Sequence, residues 1–194
     1  RSGSNWDYQL SDPTNSPSPQ MSVRYAFLWK SSKVSLLGKA YLDRAISDIC
    51  YREPFIGEFR VKGDSLSFYV LNYHSRKHYD RPEEEIQYFD QYPKRLDSDR
   101  IFIAGDFNLD YRHEVWDPLK GMGFTSILDL APTTLKRACA EGNFLNHAID
   151  NIFYPRKLFT LKDKGRIDIV GDCENLATAR GVSDHLPVFG LFEW

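Results

Sequence analysis

A carboxylate and an amide follow one of the most apolar stretches of this chain. Ile101–Ala104 runs directly into Gly105-Asp106-Phe107-Asn108. Because side chains alternate along a strand, Asp106 and Asn108 are predicted to lie on the same face. There a carboxylate can hold a hard cation, and an amide can donate a hydrogen bond to a phosphate oxygen. The alternative is that both residues only cap a turn.

Two of the five histidines also lie at predicted strand ends. His74 follows Asn72 by two residues, and His185 stands in Ser183-Asp184-His185-Leu186-Pro187-Val188, just before the last apolar stretch. An imidazole titrates near neutral pH, so it can take a proton from water when a carboxylate orients it. The alternative for a single strand-end histidine is a solvated loop residue.

Asp150 is the candidate for the orienting carboxylate. It lies within Ala148–Phe153, where an unpaired buried acid is costly. The alternative is that Asp150 faces solvent from the open side of a strand.

Composition and motifs narrow the classes of function. The 194 residues are 42% hydrophobic and 27% charged, which is typical of a globular domain, and the formal charge is −2, so any binder of a polyanion needs a local patch. No stretch approaches the roughly 18 apolar residues of a transmembrane helix. The zinc-protease, paired-cysteine, nucleophile-elbow and Walker patterns do not occur. Three cysteines leave the redox compartment open.

The elements that must position these residues are mostly strands. Aromatic and β-branched residues bounded by Gly, Asp or Pro predict eight of them: Arg24–Lys30, Lys33–Leu37, Phe55–Val61, Leu66–Asn72, Arg100–Gly105, Ala148–Tyr154, Arg166–Val170 and Leu186–Phe192. Helices are expected from Pro82 toward Leu96, limited by Pro93, and over Glu114–Lys120. Residues 10–20, with three prolines, are expected to form a mobile surface loop. An α/β or α+β sandwich of stacked sheets flanked by helices follows.

Four segments, taken in order, resemble the endonuclease/exonuclease/phosphatase superfamily. They are Asn72-Tyr73-His74, Gly105-Asp106-Phe107-Asn108, Ile149-Asp150-Asn151-Ile152-Phe153 and Ser183-Asp184-His185-Leu186-Pro187-Val188. Arg24-Tyr25-Ala26-Phe27-Leu28 followed by Tyr51-Arg52-Glu53-Pro54-Phe55 is similar to its deoxyribonuclease branch. The resemblance implies two stacked, mostly antiparallel sheets flanked by helices, a four-layer α/β sandwich formed by residues 1–194 as one domain.

The resemblance also implies roles for individual residues. His185 would be the general base on the attacking water, Asp150 would orient it, and His74 would stabilise the phosphorane or protonate the leaving oxygen. The residues implied to hold phosphate, DNA or metal are Asp106 and Asn108 at the reacting phosphate, Arg52 and Asn72 on the DNA backbone, and Asp184 with Asp106 at a divalent cation. With oxygen ligands and imidazole on offer, that cation is Mg²⁺ or Mn²⁺.

The family's first segment, with an early Asn and a metal-binding Glu, has no counterpart in these residues, so we expect the domain to be incomplete at its N-terminus. The leading hypothesis is a metal-dependent phosphodiesterase that acts as a DNA endonuclease, a monomer without a membrane span. Two alternatives stay open. One is a phosphatase or phosphodiesterase on a lipid or small phosphoester. The other is an inactive binding domain of the same fold, motivated by the absent Glu.

Overall fold

The computed structural model describes residues 5–193. Twelve strands lie in this part of the chain: β1 (Trp6–Leu10), β2 (Ala26–Lys30), β3 (Val34–Leu42), β4 (Phe55–Val61), β5 (Ser67–His74), β6 (Ile101–Asp106), β7 (Phe124–Ser126), β8 (Leu135–Ala140), β9 (Asn143–Leu145), β10 (Asp150–Pro155), β11 (Thr160–Arg166) and β12 (Val188–Glu193). The α-helices are short: α1 (Glu83–Ile86), α2 (Tyr92–Arg95), α3 (Asp117–Gly121) and α4 (Leu176–Val182). Turns of 3₁₀ helix cover Pro19–Met21, Arg44–Ile46, His78–Asp80, Phe89–Gln91, Glu114–Trp116 and Cys173–Asn175.

A six-stranded sheet organises the molecule, in the order β3-β4-β5-β6-β10-β7. Its β5 and β6 strands pair in parallel, and its other neighbours pair antiparallel. Three two-stranded antiparallel sheets accompany it: β1-β2, β8-β9 and β11-β12. The predicted α/β class with mostly antiparallel stacked sheets is confirmed.

Alternation along the central strands gives the sheet two apolar faces. Leu71 and Tyr73 of β5 and Ile101 and Ile103 of β6 face the helical side. They pack there against residues of the short helices and turns: Ile86, Phe89, Tyr92, Trp116 and Leu119. This cluster is the main core, and it fixes the helical layer on one face of the sheet.

The other face of the sheet carries two of the two-stranded sheets, β1-β2 and β11-β12. Phe27 of β2 stacks on Phe55 of β4, with ring centroids 4.7 Å apart. Phe192 of β12 packs against Phe102 of β6 at 4.8 Å. The β1-β2 and β11-β12 sheets therefore lie on the same side of the central sheet, over its two halves.

Seven of the eight predicted strands correspond to observed strands, and one is wrong. The predicted strand over Arg166–Val170 is replaced by β11, which ends at Arg166. Asp168 accepts hydrogen bonds from the backbone N–H groups of Val170 and Gly171, and these turn the chain away. The same N–H groups lower the pKa of the Asp168 carboxyl.

The helix predicted from Pro82 is shorter than expected. It breaks into α1, a 3₁₀ turn and α2, whose second residue is Pro93. Proline is tolerated at the start of a helix but not in its interior, so Pro93 begins a new helix instead of extending the first. The helix predicted over Glu114–Lys120 is present as a 3₁₀ turn followed by α3.

Residues 10–20 are anchored by hydrogen bonds although their composition is poor in apolar groups. Ser11 and Thr14 are buried, and their hydroxyls accept from the backbone of Tyr25 and Val23. Asn15 donates through its N–H to the buried Glu53 carboxylate at 2.8 Å. The mobility of residues 10–20 stays a prediction, but Ser11 and Thr14 are tied to the residues just before β2, and Asn15 is tied to Glu53.

A disulfide joins Cys139 of β8 to Cys173, ahead of α4, and Cys50 is a free, buried thiol. The bridge borders an apolar cluster that contains Leu135, Leu176 and Leu186. It therefore ties the β8-β9 hairpin to the segment that leads into Ser183–Val188.

Within residues 5–193, no helix is long and apolar enough to cross a bilayer.

Gly105 is required by the close approach of β6 to β5. A Cβ atom at this position would lie 1.7 Å from the carbonyl oxygen of Tyr73, across the parallel pair. We expect Gly105→Ala to lower the free energy of unfolding by at least about 3 kcal/mol, because backbone atoms on both strands must move. Chemical denaturation measures the change. Gly121→Ala is the matched control, since its Cβ would meet no atom within 4 Å and should change stability by about 1 kcal/mol at most. Equal effects of the two substitutions would contradict this account of Gly105.

Candidate active site

Strand register brings together the polar residues that the sequence places at strand ends. His74 pairs with Asp106 across the parallel β5-β6 ladder, and Asp150 pairs with Asp106 across the antiparallel β6-β10 ladder. Residues paired in register share a face of the sheet. Three groups separated by dozens of residues in the chain therefore lie side by side at one edge of the sheet.

His185 approaches this edge from the turn before β12. Its Nδ1 lies 2.9 Å from Oδ2 and 3.1 Å from Oδ1 of Asp150. Because an ionised carboxylate only accepts hydrogen bonds, Nδ1 carries the proton and Nε2 keeps a free lone pair. Nε2 lies 3.9 Å from Oδ2 of Asp106. The imidazole is therefore held by the carboxylate that the sequence analysis proposed for it, and its Nε2 is left able to accept a proton.

The carboxylate of Asp150 raises the pKa of His185, mainly through this hydrogen bond and against the effect of burial. The His185 side chain is about one-third exposed, at 31%. A raised pKa means that the free base of His185 becomes the major form only at a pH above the ordinary pKa of histidine.

His74 lies on the other side of Asp106. Its Nε2 is 3.5 Å from Oδ2 of Asp106, and its backbone N–H donates to the hydroxyl of Tyr25 at 3.1 Å. Burial, the positive charge of Arg52 and the nearby His185 together lower the pKa of His74 to about 4. At neutral pH this imidazole is therefore uncharged.

Asp106 is the central group. Burial and then the neighbouring Asp150 carboxylate raise its pKa to about 6, although the N–H of Asn108 donates to Oδ1 at 2.9 Å and works in the opposite direction. Asn108 has φ 49°, a left-handed conformation that asparagine tolerates better than most residues. Because β6 ends at Asp106 and Asn108 is left-handed, the predicted strand alternation from Asp106 to Asn108 is wrong, and the turn alternative is observed. The backbone N–H of Asn108 contacts the Asp106 carboxylate.

The donor set fits a hard divalent cation. Asp106, Asp150 and His185 each offer one ligand atom, and these atoms lie within 4.8 Å of one another. Two carboxylates and an imidazole suit Mg²⁺ or Mn²⁺. Burial is the larger cause of the raised pKa of Asp106, and the charge of Asp150, the second cause, is one that a divalent cation between the two carboxylates would offset.

Asp184 does not join this group. Its side chain is 64% exposed, and Oδ2 lies 3.9 Å from Nη2 of Arg180. The three-residue group that the described residues form contains Asp150 and His185 in its place. Of the two metal ligands implied by the resemblance, Asp106 is thus central, and Asp184 contributes its backbone to the turn that carries His185.

The two residues predicted to contact the DNA backbone donate hydrogen bonds to main-chain carbonyl groups of the protein. Arg52 is buried, and its guanidinium donates to the carbonyl oxygens of Met21, His74 and Ser75. Its charge acts on both His74 and Asp106 by lowering their pKa values. Asn72 lies on the face of β5 that carries His74, and its amide donates to Ala26 at 3.4 Å.

Sequence reasoning did not find Thr133. This threonine is fully buried, and its hydroxyl donates to Oδ2 of Asp150 at 2.6 Å. No local pattern marks it, because Ala131-Pro132-Thr133-Thr134 has the composition of an ordinary loop. The hydrogen bond between Thr133 and Asp150 forms only in the folded chain, where the segment before β8 lies beside β10.

No family model matches this chain. In sequence it is 28% identical over 191 residues to a deoxyribonuclease of Thioalkalivibrio sp. (strain K90mix), an alignment that covers 88% of this chain and 51% of that protein. The chain therefore spans about half the length of the curated relative it matches.

Solved structures share the fold at low sequence identity. An endonuclease/exonuclease/phosphatase protein from Bacteroides vulgatus superposes with a TM-score of 0.67 at 15% identity, covering 97% of this chain and 76% of that one. A mannosyl-6-phosphatase from Bacteroides thetaiotaomicron gives 0.65 at 16% identity, covering 97% and 77%.

The predicted resemblance is thereby confirmed: the chain has the fold of the endonuclease/exonuclease/phosphatase superfamily. Its sequence is similar to that of a deoxyribonuclease.

Proposed function

We propose that the protein is a divalent-metal-dependent phosphodiesterase that hydrolyses the backbone of DNA. The observation that carries the proposal is the position of Asp106, flanked by His74 at 3.5 Å and by the Asp150-supported His185 at 3.9 Å. Phosphodiester hydrolysis needs an activated water, neutralised phosphate oxygens and hydrogen-bond donors to the developing charge. The sequence similarity to a deoxyribonuclease favours DNA as the substrate.

In the proposed reaction, Nε2 of His185 takes a proton from a water molecule while the oxygen of that water attacks phosphorus. The new P–O bond forms as the opposite P–O bond breaks, and the departing oxygen is protonated from solvent. His74 is uncharged at neutral pH, so it acts by donating an N–H hydrogen bond to a phosphate oxygen. Asp106 and Asp150 would hold a divalent cation, which would neutralise charge on the phosphate oxygens.

Supercoiled plasmid incubated with Mg²⁺ or Mn²⁺ tests the proposal. Nicked circles are expected with either cation, and none with EDTA. If the protein hydrolyses mannose 6-phosphate or another small phosphomonoester and leaves the plasmid intact, its substrate is a small phosphoester and not DNA. This substrate is included because a mannosyl-6-phosphatase shares the fold. No turnover of any phosphoester by the protein, together with no cation binding in calorimetry, would favour an inactive binding domain.

A cavity beside the centre offers space for the part of the substrate next to the reacting phosphate. It has a volume of about 440 Å³, and Asn108 and Ile149 border it on the side of the centre. Leu109 and Leu130 give it apolar walls, and its polar and charged walls come from His78, Asp110, Arg112, Asn146 and His147. Such a mixture suits the sugar and base of a nucleotide with its phosphates at the rim.

Arg112→Ala is expected to raise KM for DNA about 3- to 10-fold and to leave kcat unchanged, because the exposed guanidinium contacts a phosphate away from the reacting one. The slope of log affinity against log salt should fall by about 1. Lys162→Ala is the control, since it also removes one positive charge but from a lysine paired with Glu193. An equal change in KM for both variants would contradict a specific contact at Arg112.

A further inference from the structure

Thr133 connects the two segments that bear the acid and the base. Its hydroxyl donates to Oδ2 of Asp150 at 2.6 Å, and its Oγ1 accepts the backbone N–H of Asp150 at 3.1 Å. Its carbonyl oxygen accepts the N–H of Leu186, the residue after His185, at 2.7 Å. One buried residue thus holds the carboxylate through its side chain and the histidine's segment through its main chain.

The hydroxyl proton of Thr133 has two acceptors within reach. Oδ2 of Asp150 lies at 2.6 Å and the carbonyl oxygen of His147 at 3.3 Å. The shorter contact, to a charged acceptor, is the stronger hydrogen bond. Thr133 therefore holds Oδ2 of Asp150. In this orientation both carboxylate oxygens lie within hydrogen-bond distance of Nδ1 of His185.

Without this hydroxyl, the carboxylate of Asp150 has one fewer contact that fixes its rotation. His185 depends on that carboxylate for the direction of Nε2, because Asp150 holds the other ring nitrogen. A small misorientation of a catalytic group costs far more in turnover than in substrate binding.

We propose that Thr133 is a positioning residue, which sets the Asp150 carboxylate and through it the His185 ring. The proposal rests on the proposed function, in which His185 is the base. It goes further in assigning a role to a buried threonine that touches neither substrate nor cation.

Thr133→Val, similar in shape and without the hydroxyl, is expected to lower kcat for plasmid nicking about 10- to 100-fold, with KM within about twofold. Thr133→Ser, which keeps the hydroxyl, should restore kcat to within about threefold of the wild type. Thr134→Val is the matched control, because the neighbouring hydroxyl accepts from the N–H of His147 and does not contact Asp150. It should leave kcat within about twofold.

A double-mutant cycle and a spectrum complete the test. In an Asp150→Asn background, Thr133→Val should change kcat by less than about threefold, because its effect passes through the missing carboxylate. Long-range ¹⁵N–¹H spectra of the imidazoles should show the His185 ring nitrogens shifted in Thr133→Val and unshifted in Thr134→Val. These spectra need no turnover, so they judge Thr133 even if the wild type hydrolyses nothing and the proposed function fails.

Wild-type kcat in Thr133→Val, or a raised KM with unchanged kcat, would overturn the proposal. So would a full additional loss in the Asp150→Asn background, since that describes an independent role. If Thr133→Val does not fold, Thr133→Ala is measured in the same way, and wild-type kcat or unshifted His185 signals there would equally overturn it.

Discussion

Replacing His185 by alanine is expected to reduce kcat/KM for plasmid nicking by about 10³-fold, because the general base is lost while the fold is retained. The side chain lies at the surface edge of the sheet and is 31% exposed, so its removal leaves no large core cavity. Nicking rates over a range of plasmid concentrations, with circular dichroism to confirm the fold, measure the effect. His113→Asn is the matched control: this histidine accepts the N–H of Val115 at a helix start, which asparagine also does well, and activity should not change.

The pH dependence of the wild type gives a second view of His185. Its pKa is raised by Asp150, and only the unprotonated ring can accept a proton from water. Activity should therefore be low at acidic pH and rise with pH through a midpoint above 6.5. In Asp150→Asn the hydrogen bond to a charged carboxylate, which raises the pKa of His185, is gone. The midpoint of the pH profile of any residual activity should therefore move to lower pH. Full activity of His185→Ala, or an activity that falls across this range, would remove His185 from the role of base.

Asp106→Asn is expected to abolish detectable nicking, and in the absence of divalent cations to stabilise the fold at neutral pH. The amide oxygen still accepts the N–H of Asn108, but the charge beside Asp150 is gone. The same loss of charge should weaken binding of Mg²⁺ or Mn²⁺ at least about tenfold in calorimetry.

The sign of the stability change follows from proton linkage. The pKa of Asp106 is about 6 when folded and near its ordinary value of 3.8 when unfolded, so the folded state binds the proton more tightly. Between pH 4 and pH 6 the wild type therefore loses stability as pH rises, and above pH 6 the full penalty is present.

Thermal unfolding in EDTA should show Asp106→Asn more stable than the wild type at pH 7, by about 1 to 2 kcal/mol, with the difference fading toward pH 4. Asp117→Asn, an exposed carboxylate 67% open to solvent, is the control and should show no such trend. A parallel trend in both variants would mean that the effect does not belong to the site.

The polar ends of the strands were predictable because strand alternation and residue chemistry are local. Asp106, Asp150, His74 and His185 stand beside strong apolar runs, and the structure places all four at one sheet edge. The parallel pairing of β5 with β6 was not predictable in the same way, since it depends on the layer of helices formed by residues 75–100.

Other features depend on long-range contacts that leave no local signal. Asp184 lies beside His185 in sequence, but the turn at Ser183–His185 directs its carboxylate toward Arg180. Thr133 lies in a loop-like sequence, and it acquires its acceptor only when β10 pairs with β6. The strand predicted after Arg166 fails because one side-chain carboxylate, that of Asp168, competes for the backbone donors.

The parallel β5-β6 ladder carries a consequence for refolding experiments. A slip of one residue between these strands would turn every side chain of β5 to the opposite face, so His74 would enter the aromatic core and Tyr73 would face the solvent edge. Such a molecule could keep most of its secondary structure and still lack the arrangement of His74 beside Asp106. Under the proposed function, specific activity therefore counts the correctly aligned fraction of a preparation, which a far-ultraviolet spectrum does not distinguish.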